Sequence, residues 1–250
     1  MKETYMVVMD QDELDKFIGW LPDTKKGETY YFSLLARNKY MRDLGIGTMK
    51  SDKHQCARWV AGKDRMLLKL LQTESPIGSY AVKGLEVPQE ALAAYVTVNP
   101  RSHVKAAKLA LKRLADVVAD GEDNPNVYQE SLTALHKAMS RKVFVDIDFD
   151  GVVLGHTLAR LRGKINPGCL SVVTTRGGFH LLVELGKVDG QYVETWYRDV
   201  ASLPGADIIG DNMLPIPGTY QGGYIPRLLT NISQVVEDCY TSYKSLLGLT

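Results

Sequence analysis

The 250-residue sequence predicts an α+β protein, and three observations carry that prediction. The second half reads strand, helix, hairpin, helix, strand, close to a βαββαβ sheet with helices on one face. The first half mixes short strand patterns with helical ones, as a mixed α/β N-terminal module would. Between them, Lys142-Val-Phe-Val-Asp-Ile-Asp-Phe149 alternates with period two. Val143, Val145, Ile147 and Phe149 share one strand face, and Asp146 and Asp148 share the other.

The elements follow in order. Residues 4–9 and 29–35 read as short strands. Asp10 to Trp20 is helical, with Asp10 or Asp12 as its cap. Lys53 to Leu71 is expected as a helix with a basic side. Tyr95 to Val98 is a strand, and Asn99-Pro-Arg101 punctuates its end as a turn. Val104 to Val118 is a helix of good formers. Gly121 to Pro125 breaks the pattern, and Asn126 to Ser140 is a second helix. After the Asp146/Asp148 strand, Gly155 to Arg162 is helical. Leu170–Thr175 and Phe179–Leu185 are strands joined by Thr175-Arg-Gly-Gly178, a hairpin signal. Gln191 to Ser202 is a helix closed by Pro204-Gly205. Ala206–Ile209 and Leu214–Ile216 are short strands ahead of Pro217-Gly-Thr219. Pattern change alone divides the chain into an N-terminal α/β module over 1–140, a βαββαβ module over 141–230 and a C-terminal helix over 231–250.

Hydrophobic content of 45% and charged content of 24% are ordinary for a soluble globular protein. No apolar run approaches the ~20 residues that a membrane helix needs. The N-terminus lacks the pattern of a signal peptide. Cys56, Cys169 and Cys239 are scattered and odd in number, which argues against a disulfide framework and fits a reducing cytoplasm. His54-Gln-Cys56 has one arm of a zinc-ligand spacing, but no second pair follows. Net charge is +1, yet nine Lys or Arg face three acids between Arg37 and Lys69, and five face none between Arg101 and Leu114. Such stretches suit either a phosphate backbone or solvated helix faces, and charge alone favours the second. Lys105, Lys108 and Lys112 follow helical spacing and, with Arg101, are the candidate nucleic-acid contacts. Trp59, Trp196 and the tyrosines are more simply core than base-stacking platforms.

Two carboxylates side by side repel and hold their charge best around a cation, and hard divalent metals take oxygen ligands. Asp146 and Asp148 therefore read as one side of a metal site. In Gly177-Gly-Phe-His180, Phe179, Leu181 and Val183 point to the core. His180 then points to the opposite face, where neighbouring strands would bring it to the aspartates. Asp207 opens a short apolar strand and is the third candidate. Asp211, four residues on, is its competitor. Asp150 continues the alternation but is expected past the strand end, as a turn residue.

Hydrophobic-Asp-hydrophobic-Asp, Gly-Gly-x-His on a strand and a hydrophobic-Asp strand, in this order over residues 142–220, resemble the archaeo-eukaryotic primase superfamily. The third element, Asp207 followed by Pro217-Gly-Thr219, is most similar to the plasmid and phage primase-polymerase branch. The resemblance implies an RRM-like catalytic sheet. It implies that Asp146, Asp148 and Asp207 bind two Mg²⁺ or Mn²⁺ ions for in-line phosphoryl transfer. It implies that His180 contacts nucleotide phosphates, with Gly177 and Gly178 giving the backbone close approach and Arg176 available to pair with phosphate. The implied partners are a single-stranded DNA template and primer, NTP or dNTP substrates, and a separate replicative helicase, because no Gly-x-x-x-x-Gly-Lys-Ser/Thr loop occurs. The implied setting is the cytoplasm of a bacterial, archaeal or phage-infected cell. A metal-dependent nuclease using the same aspartates and a non-catalytic nucleic-acid-binding module of a replication initiator are the competing classes.

Overall fold

The computed structural model describes residues 3–43, 45, 53–82, 84–121, 126–207, 213–230 and 232–236. The chain forms two units: residues 1–142 with 213–223, and residues 143–212 with 224–250. The expected boundary near 140 needs one correction. Residues 213–223 leave the second module and return to the first.

The first unit opens on an extended segment, not the strand expected over 4–9. Only Thr4 and Val8 make isolated bridges, to Pro76 and Thr219. Its backbone is held partly by scattered backbone partners, with Tyr5 N donating to Ser75 O and Met9 N to Gly218 O, and partly by side chains. Glu74 Oε1 accepts from the amides of both Val7 and Val8 at 2.9 Å. Gln89 both accepts from Met6 N and donates to Met6 O. Helix α1 (Gln11–Trp20) is capped by Asp10, whose carboxylate accepts from Glu13 N at 3.0 Å, and it buries Leu14 and Phe17. Strand β1 (Glu28–Arg37) is aromatic-rich and buries eight of its ten residues, as an interior strand does. It leads into α2 (Asn38–Asp43).

Residues 53–71 are not one helix. Lys53–Ala61 is strand β2, paired antiparallel with β1 through a register shift at Leu34/Leu35, and only Met66–Leu71 is helical (α3). Trp59, partly buried on β2, stacks on the buried Phe32 with ring centroids 5.6 Å apart. Short strands β3 (Ala81–Val82) and β4 (Leu85–Glu86) form a ribbon. Strand β5 (Leu92–Thr97) pairs with β1, and β6 (Arg101–Ser102) pairs with the start of β1. Helix α4 (His103–Ala119) is capped by Ser102, and α5 (Val127–Lys137) by Asn126.

The second unit holds β7 (Phe144–Asp150), α6 (Leu154–Leu161), β8 (Leu170–Thr174), β9 (Gly178–Glu184), α7 (Trp196–Ala201) and β10 (Ala206–Asp207). Helix α7 is shorter than the helix expected over 191–202, because a 3₁₀ turn occupies Gly190–Tyr192. The chain then crosses to the first unit, where β11 (Met213–Pro215) pairs with β5 and completes the order β11-β5-β1-β2. Gly218 permits this return. Its φ is +80°, and a Cβ there would lie 2.4 Å from Asp10 O. Strand β12 (Arg227–Leu229) closes the second sheet, whose order is β10-β7-β9-β8-β12, antiparallel throughout.

One face of that second sheet carries the core. Val145, Ile147, Phe149, Val172, Phe179, Leu181 and Val183 pack with Leu158 and Leu161 of α6, Trp196 and Val200 of α7, and Ile232 and Val236. Phe149 and Phe179, opposed in register, stack at 4.9 Å. The rest of the C-terminal helix expected over 231–250 lies outside the described residues, as do Ile208-Ile209 and Asp211. Among the described residues no helix is long and apolar enough to cross a membrane.

Candidate functional site

Because Ile147 and Phe149 face the core, Asp146, Asp148 and Asp150 leave β7 on the other side. Cross-strand register assembles the rest. Asp148 stands opposite His180 on β9, and Asp207 on β10 stands opposite Asp148. Ala206, the residue before Asp207, packs against the core, so Asp207 takes the acidic face. Asp207, Asp148 and His180 thus form one row across three adjacent strands.

His180 bridges two of the aspartates. Its Nδ1 lies 2.9 Å from Asp146 Oδ1, and its Nε2 lies 3.7 Å from Asp148 Oδ1. The imidazole and Asp146 are buried, at 6% and 3% exposure, whereas the Asp148 side chain keeps 27%. Burial opposes the charged imidazolium, but the charge and hydrogen bond of Asp146, with Asp148 and Asp150, outweigh it. The pKa of His180 is therefore raised above 6.5. Asp148 is raised above 3.8, first by burial and then by the charges of Asp150, Asp146 and Asp207, against the lowering influence of His180. Ionisation of Asp148 is thus disfavoured, chiefly by burial, and the imidazole opposite it relieves only part of that.

Asp146 Oδ2 is buried and has no hydrogen-bond partner. A carboxylate oxygen left bare beside other carboxylates is what a hard cation satisfies, and the donors here are all-oxygen, as Mg²⁺ and Mn²⁺ prefer. Asp146 and Asp148 could hold such an ion, with Asp207 on the neighbouring strand. Among the described residues no three His, Cys, Asp or Glu side chains stand together as a ready cluster.

Several expectations change. Asp150 is the last residue of β7, paired with Gly178, not a turn residue. Its charge acts on both Asp148 and His180. The unbroken period-two pattern already signalled it. Gly178 serves the sheet: a Cβ there would sit 1.9 Å from Phe149 O, so strand packing demands glycine irrespective of any ligand. Arg176 and Gly177 are exposed at the tip of the β8–β9 hairpin, closed by Thr175 N donating to Gly178 O at 2.9 Å.

The four basic candidates belong to the first unit and divide. Arg101 is fully buried between β1 and Met139, so it is not a surface contact. Lys105 donates to the carbonyls of Met139 and Ser140, which ties the exit of α5 to α4. Lys108 and Lys112 are exposed. Burial pushes the Cys56 thiol up to about 11, away from the thiolate that a metal ligand requires. Trp196 is core.

No protein-family model, curated protein or solved structure matches the chain.

Proposed function

We propose that the protein is a metal-dependent nucleotidyltransferase, a small DNA primase or primase-polymerase acting on single-stranded DNA with NTPs or dNTPs. The observation that carries the reading is the row Asp207–Asp148–His180 with Asp146 hydrogen-bonded to the imidazole. The strand order of the second sheet, in the chain sequence β7-α6-β8-β9-α7-β10, supports an RRM-like catalytic core in its shape.

In this reading Asp146 and Asp148, with Asp207, hold Mg²⁺ or Mn²⁺, and the bare Asp146 Oδ2 is a position such an ion would satisfy. Bound there, the metal supplies charge neutralisation for phosphoryl transfer. The protein's own groups do the rest. Asp146 fixes the imidazole of His180 in orientation and, by raising its pKa, favours the cationic form. A cationic His180 offers an N–H to an anionic phosphate oxygen. Arg176, exposed at the hairpin tip, is a second cation for the same anion. Template, primer and a separate helicase are the partners that the reading implies.

The test supplies purified protein with a single-stranded template, labelled nucleotides and Mn²⁺. Incorporation by wild type and its loss in Asp146→Ala and Asp148→Ala support the proposal. Shortening of labelled DNA without incorporation points to a nuclease. DNA binding without chemistry and indifferent to chelator points to a replication-initiator module.

A further inference from the structure

The helix side of the second sheet holds a small cavity where β7 ends and β10 begins. Val152 and Val153 come to it from the turn that leads β7 into α6, and Leu203 and Pro204 from the turn that leads α7 into β10. His156, Thr157 and Arg160 come from α6 itself, three, four and seven residues after Val153, which is one stripe of a helix. The cavity encloses about 160 Å³, and Val153 in its lining is 62% exposed, so it is reached from solvent. Gly205 draws the two turns together: its φ is +79°, and a Cβ there would lie 2.7 Å from Val152 Cγ1. Leu203 N donates to Val200 O, and Ala206 N to Leu203 O, so backbone bonds close the same turn. A wall built this way stands before any ligand arrives.

The lining has two chemistries. Val152, Val153, Leu203 and Pro204 are aliphatic. A protein void of about 150 Å³ holds one benzene ring, so this one suits an apolar body of about six carbons. The hydroxyl of buried Thr157 turns back to Val153 O, which leaves His156 and Arg160, one helical turn apart, as the groups that meet a ligand's polar end. Among the described residues Arg160 makes no ion pair or hydrogen bond. No Asp or Glu lines the cavity, and none occurs between Gly151 and Val183. The acids nearest in the chain are engaged elsewhere. Asp150 and Asp207 stand on the opposite face of the sheet with Asp148 and His180, and Asp199 lies 3.3 Å from Arg198 Nε. A guanidinium at the edge of an apolar void with no acid on its walls is complementary to a carboxylate, which it binds through two parallel N–H···O bonds. A bare phosphate would leave oxygens against valine and proline, where burial without a hydrogen bond is costly.

We propose that this cavity binds a small organic acid. Its carboxylate is held by Arg160 with His156 beside it, and its aliphatic or aromatic body of about six carbons lies against the valines, Leu203 and Pro204. The cavity lies on the side of the sheet away from the acidic row, so the proposal stands apart from the chemistry assigned to the aspartates.

The test titrates the full chain, labelled with nitrogen-15, with benzoate. Amide shifts over 152–160 and 203–205 should move saturably, with a Kd of about 1 mM or tighter. Benzamide keeps the shape without the charge, and inorganic phosphate keeps a charge without the apolar body. Each should bind about tenfold more weakly or worse. Arg160→Gln should remove the preference for benzoate over benzamide. Val153→Glu, which sets a carboxylate at the rim, should weaken benzoate about tenfold or more. Both side chains are exposed, so the fold should tolerate either change, and thermal melts verify this. No saturable binding, shifts centred on the acidic row instead, benzamide or phosphate bound as tightly as benzoate, or indifference to either variant would overturn the proposal.

Discussion

Gly178→Ala separates two roles for the glycine that precedes His180 by two residues. A Cβ at 178 would lie 1.9 Å from Phe149 O, where real Cβ contacts stay beyond 3.0 Å. The obstacle is backbone, so no rotamer change relieves it. Strands β7 and β9 must part by about 1 Å at the Asp150–Gly178 pair. Overpacking of this kind costs about 1–3 kcal/mol. The stiffer unfolded chain returns only about 0.4–1 kcal/mol. A net loss of about 1–2 kcal/mol is expected, read as a lower urea midpoint at unchanged slope. Gly186→Ala is the control. No atom lies within 4 Å of its added Cβ, so it should stay within about 0.5 kcal/mol of wild type. The Phe149–Phe179 stack and the Asp148–His180 pair come next in the register. Gly178→Ala should therefore also disturb the acidic row. If it proves as stable as Gly186→Ala, the packing argument is refuted, and access of a ligand to the backbone becomes the better account of this glycine.

Two further outcomes follow from the same geometry. His180 binds its proton more tightly folded than unfolded, so its contribution to stability is full below about pH 6.5 and is lost as pH rises through the raised folded value. The stability gap between wild type and His180→Gln should accordingly shrink as pH rises above 6.5, and a gap that widens would contradict the Asp146–His180 assignment. Glu74→Ala should cost about 1–3 kcal/mol by stranding the amides of Val7 and Val8, while Glu74→Gln, whose carbonyl still accepts, should recover most of it. Equal loss in both variants would show that charge, not hydrogen bonding, fixes the N-terminal segment.

The acidic strand was legible because period-two alternation is local: Val145, Ile147 and Phe149 needed a core face, and that left Asp146 and Asp148 together. His180 was legible for the same reason. What the sequence could not convey was pairing. Lys53–Ala61 reads as helix because no Gly or Pro interrupts it before Leu71 apart from Gly62, yet β1 lacked a partner on that edge and backbone pairing prevailed over local pattern. Residues 4–9 are apolar enough for a strand, but Glu74 and Gln89 take the amides of Met6, Val7 and Val8, and no continuous ladder forms. Met213–Pro215 is too short for any period, and its partner β5 lies more than a hundred residues earlier in the chain. Asp150 was within reach, since the alternation ran on through it.

The most direct measurement for the central claim is labelled-nucleotide incorporation on a single-stranded template with Mn²⁺, comparing wild type with Asp146→Ala, Asp148→Ala and Asp207→Ala under identical folding checks. The account predicts product from wild type, loss of about a hundredfold or more in each aspartate variant, and none with chelator. Wild type without product, or aspartate variants as active as wild type, would contradict it.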